Sequence, residues 1–347
     1  PSQHVHHKAL LTCLQEVEHS TDAPTKQRIV QPLVHKIWAE LGETTPSAIV
    51  CIFGGADGLF DLLVPRLRRL LDRGVIHAAS RIGDAAASRS VVVDGGTLSG
   101  VMKYVGSSVR DLRRSAVECS VPYLVGCAPA ECCKWPRRGR APTGSWPASL
   151  EPNHDMFILA GRGPSSIEKP VTWGFETLTM FSLIDGLRHG FDGMESSAHV
   201  PAIAILSNGG EISKREALQT VRAGIPLILV QGSGRVCDRI CRLRKLIQTT
   251  TENLLRRRNS VGRGSLRLVN HRDMSGEDDI RTTVQGLTSL SMGEMIHSGD
   301  HQHDSQSVMQ EEDDDAVREI ASAKNVFIFP LTGDPERLAE MVRQHML

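Results

Sequence analysis

The chain has 347 residues, 40% of them hydrophobic, enough for one large domain or two modest ones with a sizeable core. Lysine plus arginine and aspartate plus glutamate each number 40, so the formal net charge is zero and nothing global points to nucleic acid or an acidic partner. Aromatic residues make up only 4%, which weakens a base-stacking reading, and no run of about 18 apolar residues is present to span a membrane.

In chain order, residues 1–46 read as a helical N-terminal segment in two pieces, around 8–18 and 26–41. A strand over 48–53 ends in the turn Phe53-Gly54-Gly55-Ala56. The next stretch, 59–73, places Leu59, Leu62, Leu63, Leu67, Leu70 and Leu71 at helical spacing. Its polar face, with Arg66, Arg68, Arg69, Asp72 and Arg73, reads as solvated. A second strand, 90–93, ends in Asp94-Gly95-Gly96-Thr97 and leads into a helix over 100–114. Strands at 121–127 and 155–160 flank a basic, proline-rich loop, 130–152, that also reads as solvated. A helix over 172–188 follows. Then come a strand at 202–206, the turn Asn208-Gly209-Gly210-Glu211 and a helix at 213–223. The last unit of this kind is a strand at 227–230, the turn Gln231-Gly232-Ser233-Gly234 and a helix at 235–248. From 251 to 315 the periodicity collapses into a polar stretch, expected to be a flexible insertion. It returns as a helix (316–323), a strand (326–329) and a helix (335–346), the strand being expected to add to a sheet edge.

This alternation argues for an α/β, Rossmann-like parallel sheet flanked by helices. The expected division is a binding domain over 47–250, the insertion over 251–315, and a C-terminal segment over 316–347 that completes the domain. Glycine permits a sharp turn and close approach of a ligand to the backbone. A helix start offers unpaired N–H groups and partial positive charge to an anion. Several such turns on one edge suggest a nucleotide-type ligand. The candidate ligand-binding residues are Gly54, Gly55, Asp94, Gly95, Gly96, Thr97, Gly100, Gly209, Gly210, Glu211, Ser213, Gly232, Ser233, Gly234 and Arg235. Arg235 could grip a phosphate bidentately, or form a surface ion pair with Asp238. His154, at a strand start, reads as structural rather than as a ligand contact.

The eight cysteines contain no C-x-x-C pair, and no secretory signal opens the chain, which suggests a reduced, intracellular protein. Cys237 and Cys241 are four apart, without a second pair to complete a metal site. His297, His301 and His303, with Asp300 and Asp304, read as flexible surface groups rather than a metal site. No cofactor or metal is expected. An opening Pro1 in place of Met is what a fragment would show.

The segment Asp94-Gly95-Gly96-Thr97-Leu98-Ser99-Gly100-Val101-Met102-Lys103-Tyr104-Val105-Gly106 resembles the signature of the N-terminal cytoplasmic region of melastatin-type TRP (TRPM) cation channels. Three further blocks resemble it in order and spacing: Pro142-Thr143-Gly144-Ser145-Trp146-Pro147, Asn153-His154-Asp155-Met156-Phe157-Ile158-Leu159 and Gln231-Gly232-Ser233-Gly234-Arg235-Val236-Cys237-Asp238. The resemblance spans roughly residues 35–245. It implies a SLOG-superfamily (LSDAT-type) domain holding a nucleotide derivative such as ADP-ribose, acting as a ligand sensor or assembly module on the cytoplasmic side of a channel. It also implies a possible homo-oligomer, and leaves room for a membrane portion beyond Leu347. Asp94 stands where the channel pattern has a small hydroxyl residue. Its carboxylate would repel a pyrophosphate but suit a ribose hydroxyl.

The LOG phosphoribohydrolases, distant relatives, carry Pro-Gly-Gly-x-Gly-Thr-x-x-Glu at the active site. Asn208-Gly209-Gly210-Glu211-Ile212-Ser213-Lys214-Arg215-Glu216 keeps the glycine pair and the final Glu216, and replaces the third glycine by Ile212. Ser213 is expected to cap the helix and donate to a phosphate. Three readings are therefore open: a ligand sensor, an N-glycosidic nucleotide hydrolase using Glu216 for charge stabilisation or as general base, and an assembly module without ligand.

Overall fold

Runs of valine, isoleucine and alanine buried on both faces need helices above and below them. The computed structural model describes residues 8–13, 23–42, 44–55, 61–82, 89–115, 120–134, 147–161, 171–190, 199–262 and 315–346. They divide into two compact units, one of Pro1–Asp238 with Lys324–Leu347, the other of Arg239–Ala323.

The first unit holds a sheet of eight parallel strands. In chain order these are β1 (Lys8–Cys13), β2 (Ile49–Gly54), β3 (Val91–Asp94), β4 (Tyr123–Pro129), β7 (Met156–Gly161), β8 (Ala202–Ser207), β9 (Leu227–Gln231) and β10 (Val326–Pro330). The short pair β5 (Cys133–Lys134) and β6 (Ala148–Ser149) forms a separate two-stranded sheet. The main order is β1-β7-β4-β3-β2-β8-β9-β10. From β2 the chain builds outward through β3, β4 and β7, then returns to the other side of β2 with β8. The direction of winding therefore reverses between β2 and β8. Here Gly54 lies opposite Ser207. Because every strand is parallel, all four glycine turns stand along the same carboxyl edge.

Alternate strand residues make the two core faces. Val50, Ile52, Val92, Leu124, Ile203, Ile205, Ile228 and Val230 face one core cluster. It is covered by α2 (Val64–Arg69) with its continuation, by α3 (Gly100–Ser115) and by α8 (Pro335–Gln344). On the other side α1 (Ala23–Glu40) packs on α4 (Thr177–His189), while α4 and α5 (Glu211–Arg222) pack on β2. The Phe53 and Phe181 rings lie 5.9 Å apart there. In the second unit, Arg244 donates to the carbonyls of Ala321 (2.8 Å) and Ala323 (2.7 Å) at the end of α7 (Asp315–Ser322). Among the described residues no helix is long and apolar enough to cross a membrane.

Three expectations change. The helix expected around 8–18 is, over Lys8–Cys13, a strand paired with β7, Lys8 opposite Met156 and Cys13 opposite Gly161. Six residues are too few for a period to separate strand from helix, so long-range pairing decides. The helix expected from 59 starts at Val64 and leaves Leu62 88% exposed, while Leu59 lies outside the described residues. It continues as a π-helix, Leu70–Ile76, and one last turn, His77–Ala79. Finally, α6 (Arg235–Gly262) runs through the expected stop at 248 into the polar stretch. The rest of that stretch up to 314, with its histidines, lies outside the described residues, as does the basic loop from 135 to 146.

Gly54 is a packing position. A Cβ there would collide with Val101 of α3 and lie 2.7 Å from the Ser207 carbonyl. Gly54→Ala is expected to destabilise the protein by about 1–3 kcal/mol in chemical denaturation. Unchanged stability would show that α3 can move away from the sheet.

Candidate functional site

A cleft of about 550 Å³ opens at the carboxyl edge where the winding reverses, the position at which open α/β sheets bind ligands. Ile52, Phe53, Gly54 and Gly55 line it from the end of β2, and Gly95, Thr97, Ser99 and Met102 from the end of β3. Gly210, Glu211, Ile212, Ser213 and Glu216 line it from the start of α5, joined by Arg235, Trp173, Glu176 and Ala148. The lining combines apolar and aromatic side chains with polar and charged ones.

The four turns have different donors available. At the third turn, Gly209 has φ +88°, a left-handed conformation suited to glycine. Gly210 is the N-cap of α5, and no side chain caps it. Lys214 N–H is the one that reaches Gly210 O. The N–H groups of Glu211, Ile212 and Ser213 belong to the first turn, which lacks intrahelical acceptors. These residues line the cleft. Ser213 is therefore inside the first turn, not the cap expected of it, and its hydroxyl bonds to Glu216.

The fourth turn is closed by its own helix. Asp238 accepts the Gly232 N–H (2.6 Å) and the Gly234 N–H (3.0 Å). The first N–H groups of α6, from Val236 and Cys237, donate to the carbonyls of Gly209 and Asn208. The Ser233 hydroxyl accepts the Asn208 N–H at 2.7 Å. Gly232, Ser233 and Gly234 thus support the third turn and do not line the cleft. Arg235, with a left-handed φ of +46°, does line it. A Cβ on Gly210 would lie 2.9 Å from its Nη2, so its guanidinium sits beside the open start of α5.

At the second turn, Gly95 and Thr97 line the cleft, and the Thr97 and Ser99 hydroxyls are 2.8 Å apart. Gly96 has φ +63° and packs so closely that a Cβ would lie 2.8 Å from Gly126 Cα. Gly96 and Gly100 are not among the lining residues. Nor is Asp94, which is fully buried. Its Oδ1 accepts the Gly96 N–H (2.7 Å) and faces His154 Nε2 at 2.8 Å. Its Oδ2 is buried without a partner among the described residues. The carboxylate that the sequence offers to a ribose thus belongs to a buried network.

His154 is the centre of that network. Its Nδ1 lies 2.9 Å from Glu151 Oε2, and Glu151 also accepts the Asn153 N–H at 2.8 Å. Burial alone would lower the imidazole's pKa. The Asp94 charge and hydrogen bond, then the Glu151 bond, override this and hold it at about 9. Burial would likewise raise Glu151, but the His154 bond and charge, with Asn153, hold it below its ordinary value. A Cβ on Gly106 would overlap the Glu151 carboxyl, so that glycine makes room for the pair.

Inspection of the sequence misses the lining residues Ile52, Phe53, Ser99, Met102, Ala148, Trp173 and Glu176. Glu176 is 6% exposed, and its Oε2 accepts the Gly174 N–H at 2.8 Å. Burial pushes it up to about 7, against its own N–H, the Gly174 N–H and the Arg215 charge. Glu216 rises to about 8 through burial and then the Glu176 and Asp94 charges, offset by Arg215 and the Ser213 bond. The available signal was Trp173-Gly174 directly before a helix, a glycine turn outside the strand-turn-helix pattern. Cys51, Cys127, Cys132, Cys133, Cys237 and Cys241 are buried thiols outside any disulfide. Burial pushes Cys51 and Cys133 up to about 12, so neither offers a thiolate.

A family model described as "SLOG in TRPM, prokaryote" matches residues 47–273. Among curated proteins, the chain is similar to transient receptor potential cation channel subfamily M member-like 2 of Nematostella vectensis. The match is 25% identical over 244 residues, covering 64% of this chain and 14% of the relative. Subfamily M member 2 of Mus musculus is 26% identical over 264 residues, 70% of this chain and 16% of the relative. Subfamily M member 4 of Rattus norvegicus is 26% identical over 269 residues, 72% and 20% respectively. The chain thus spans no more than a fifth of the length of these relatives.

His154 stabilises the fold fully below its unfolded value of 6.5, and this contribution fades as the pH rises through about 9. Glu151 acts oppositely: its contribution is present above the unfolded value of 4.5 and is lost as the pH falls. His154→Gln is expected to cost about 3–5 kcal/mol, because two buried carboxylates lose their counter-charge. The cost should be largest between about pH 5 and 7 and shrink above about 9 in urea titrations. A cost independent of pH would mean that the imidazole is neutral. Glu216 has the reverse sign. Its unfolded carboxyl ionises near 4.5 and its folded one near 8, so it lowers stability as the pH rises through that window. Glu216→Gln is expected to raise stability by about 1–3 kcal/mol at pH 8 and to leave it unchanged near pH 4. Destabilisation at pH 8 would show that the buried charge is well paired.

Proposed function

The chain belongs to the SLOG-in-TRPM family, prokaryote, and on that premise we propose that its cleft senses a nucleotide derivative of the ADP-ribose type. The observation that carries this is the uncapped start of α5 opening into the cleft beside the Arg235 guanidinium. Orphan N–H groups and a helix dipole favour an anion there, and a guanidinium matches phosphate oxygens. Trp173, Met102 and Phe53 also line the cleft and would offer apolar surface to a base. Glu176 and Glu216 line the same cleft and would serve as acceptors for ribose hydroxyls.

In this reading the phosphates lie against Gly210–Ser213 and Arg235, and the Gly55 and Gly95 turns border them. The fourth glycine turn contributes through Arg235 and holds the third in place. Ligand binding selects the conformation in which these turns and the start of α6 are ordered together. The relatives are named as cation channels, so the proposed role is that of a cytoplasmic sensing domain that assembles as a homo-oligomer. In this reading the cleft belongs to the unit of Pro1–Asp238 with Lys324–Leu347.

A thermal-shift screen with ADP-ribose, cyclic ADP-ribose, NAD, AMP, ATP and ribose 5-phosphate tests this. A ligand at 100 times its Kd should stabilise the protein by about 2.7 kcal/mol. Arg235→Ala should weaken binding roughly 10- to 100-fold, the value of a charge-assisted hydrogen bond. A folded protein that none of the six stabilises would refute the sensor reading and favour the assembly module.

A further inference from the structure

The amino edge of the sheet, opposite the cleft, carries a second cluster of polar side chains. Helix α4 ends there in Arg188 and His189, and the chain returns through His199 and Val200 into β8. The Val200 N–H donates to the Arg188 carbonyl at 2.9 Å. That bond brings His199 beside His189, ten positions away in the chain. The two ring centroids are 4.7 Å apart and the two Nδ1 atoms 3.3 Å. Both imidazoles are exposed. Helix α5 ends here as well, since Arg188 Nη1 donates to the carbonyl of its C-cap, Ala223, at 3.1 Å.

The neighbours set the protons on this pair. Arg188 Nη2 lies 3.4 Å from His199 Nε2 and has only protons to offer, so Nε2 accepts and the His199 proton sits on Nδ1. His189 Nδ1 is then the acceptor between the rings, and its own proton sits on Nε2. That nitrogen faces Asp185 Oδ1 at 3.7 Å. Two uncharged imidazoles thus share one hydrogen between two Nδ1 atoms.

Two imidazole nitrogens on one tetrahedral ion, each about 2.0–2.1 Å from it, stand about 3.3–3.4 Å apart. The Nδ1 pair has that separation. A carboxylate behind the far nitrogen is the usual outer partner of a ligating histidine, and Asp185 stands on that side of His189. Imidazole nitrogen selects Zn²⁺, Ni²⁺ and Cu²⁺ over Mg²⁺ and Ca²⁺, which take oxygen ligands. We propose that His189 and His199 bind one such transition-metal ion through their Nδ1 atoms, with water in its remaining positions. The ion clasps the end of α4 to the chain entering β8.

The ion takes the place of the shared hydrogen. The His199 proton moves from Nδ1 to Nε2, and Arg188 Nη2 turns away from it while Nη1 keeps the Ala223 carbonyl. No proton is released and nothing is oxidised or reduced. The Arg188 charge opposes the ion and the Asp185 charge offsets it. The site lies apart from the cleft, so it stands whether or not the cleft takes a nucleotide.

The whole chain is compared with His189→Ala, His199→Ala and the double variant. Each is dialysed to equilibrium against Ni²⁺ or Zn²⁺ at the concentration that just saturates the unaltered protein, and bound metal is counted by atomic absorption. Mg²⁺ is the control, and circular dichroism checks folding, which two exposed side chains should not affect. The chain has 14 histidines in all, so the count is read as a difference between proteins. Each single variant should hold one ion fewer, and the double variant no fewer than either single. Affinity at that site should fall by at least about tenfold, since even an outer partner of a ligand is worth that much. Equal counts in all four proteins would overturn the site. A double variant that loses two ions would place the histidines in separate sites and overturn the shared one equally.

Discussion

One imidazole holds the carboxyl edge of the sheet together. His154 sits between Asp94, at the end of β3, and Glu151, in the segment that approaches β7. All three side chains are buried, so the two carboxylates tolerate burial only with a counter-charge between them. Gly106 leaves space for the Glu151 carboxyl, and Gly96 packs on Gly126. Asp94 also fixes the Gly96 N–H, and so the path of the turn that borders the cleft. An ion network inside the protein therefore sets the shape of a surface site.

The glycine turns share a pattern but divide the work. Gly54 permits contact between α3 and the sheet. Gly96 permits close backbone packing. The Gly232–Gly234 turn directs its donors to Asp238 and gives the α6 donors the carbonyls of Asn208 and Gly209. Among the described residues of the third and fourth turns, the third is the one whose helix start faces the cleft without a side-chain cap. The fourth acts on the site through Arg235, whose guanidinium reaches Gly210. Close packing and anion binding ask for the same residue type, so a glycine pair alone does not say which it does.

The cleft places opposite electrostatics side by side. A helix start and a guanidinium favour an anion, while Glu176 and Glu216 resist being anionic together. Burial raises both carboxyls towards neutrality, which eases the conflict within a cleft of about 550 Å³.

Much of this was legible in the residues. Apolar runs, four of them ending in glycine turns, marked seven of the eight strands of the main sheet and most of the helices, because local periodicity and turn chemistry act over a few residues. The blocks around Gly95 and Arg235 marked the family. What the sequence left undecided depended on distance along the chain. Lys8–Cys13 is a strand because β7 offers it a partner. Asp94 is buried because His154, 60 residues away, meets it. Glu176 enters the cleft because the sheet brings its loop to the start of α5. The sequence by itself determined the element order, the α/β class and the residue types able to hold an anion. Only the tertiary structure decided which of those groups face the cleft, since donors, charges and burial are assigned by neighbours that the chain brings together on folding.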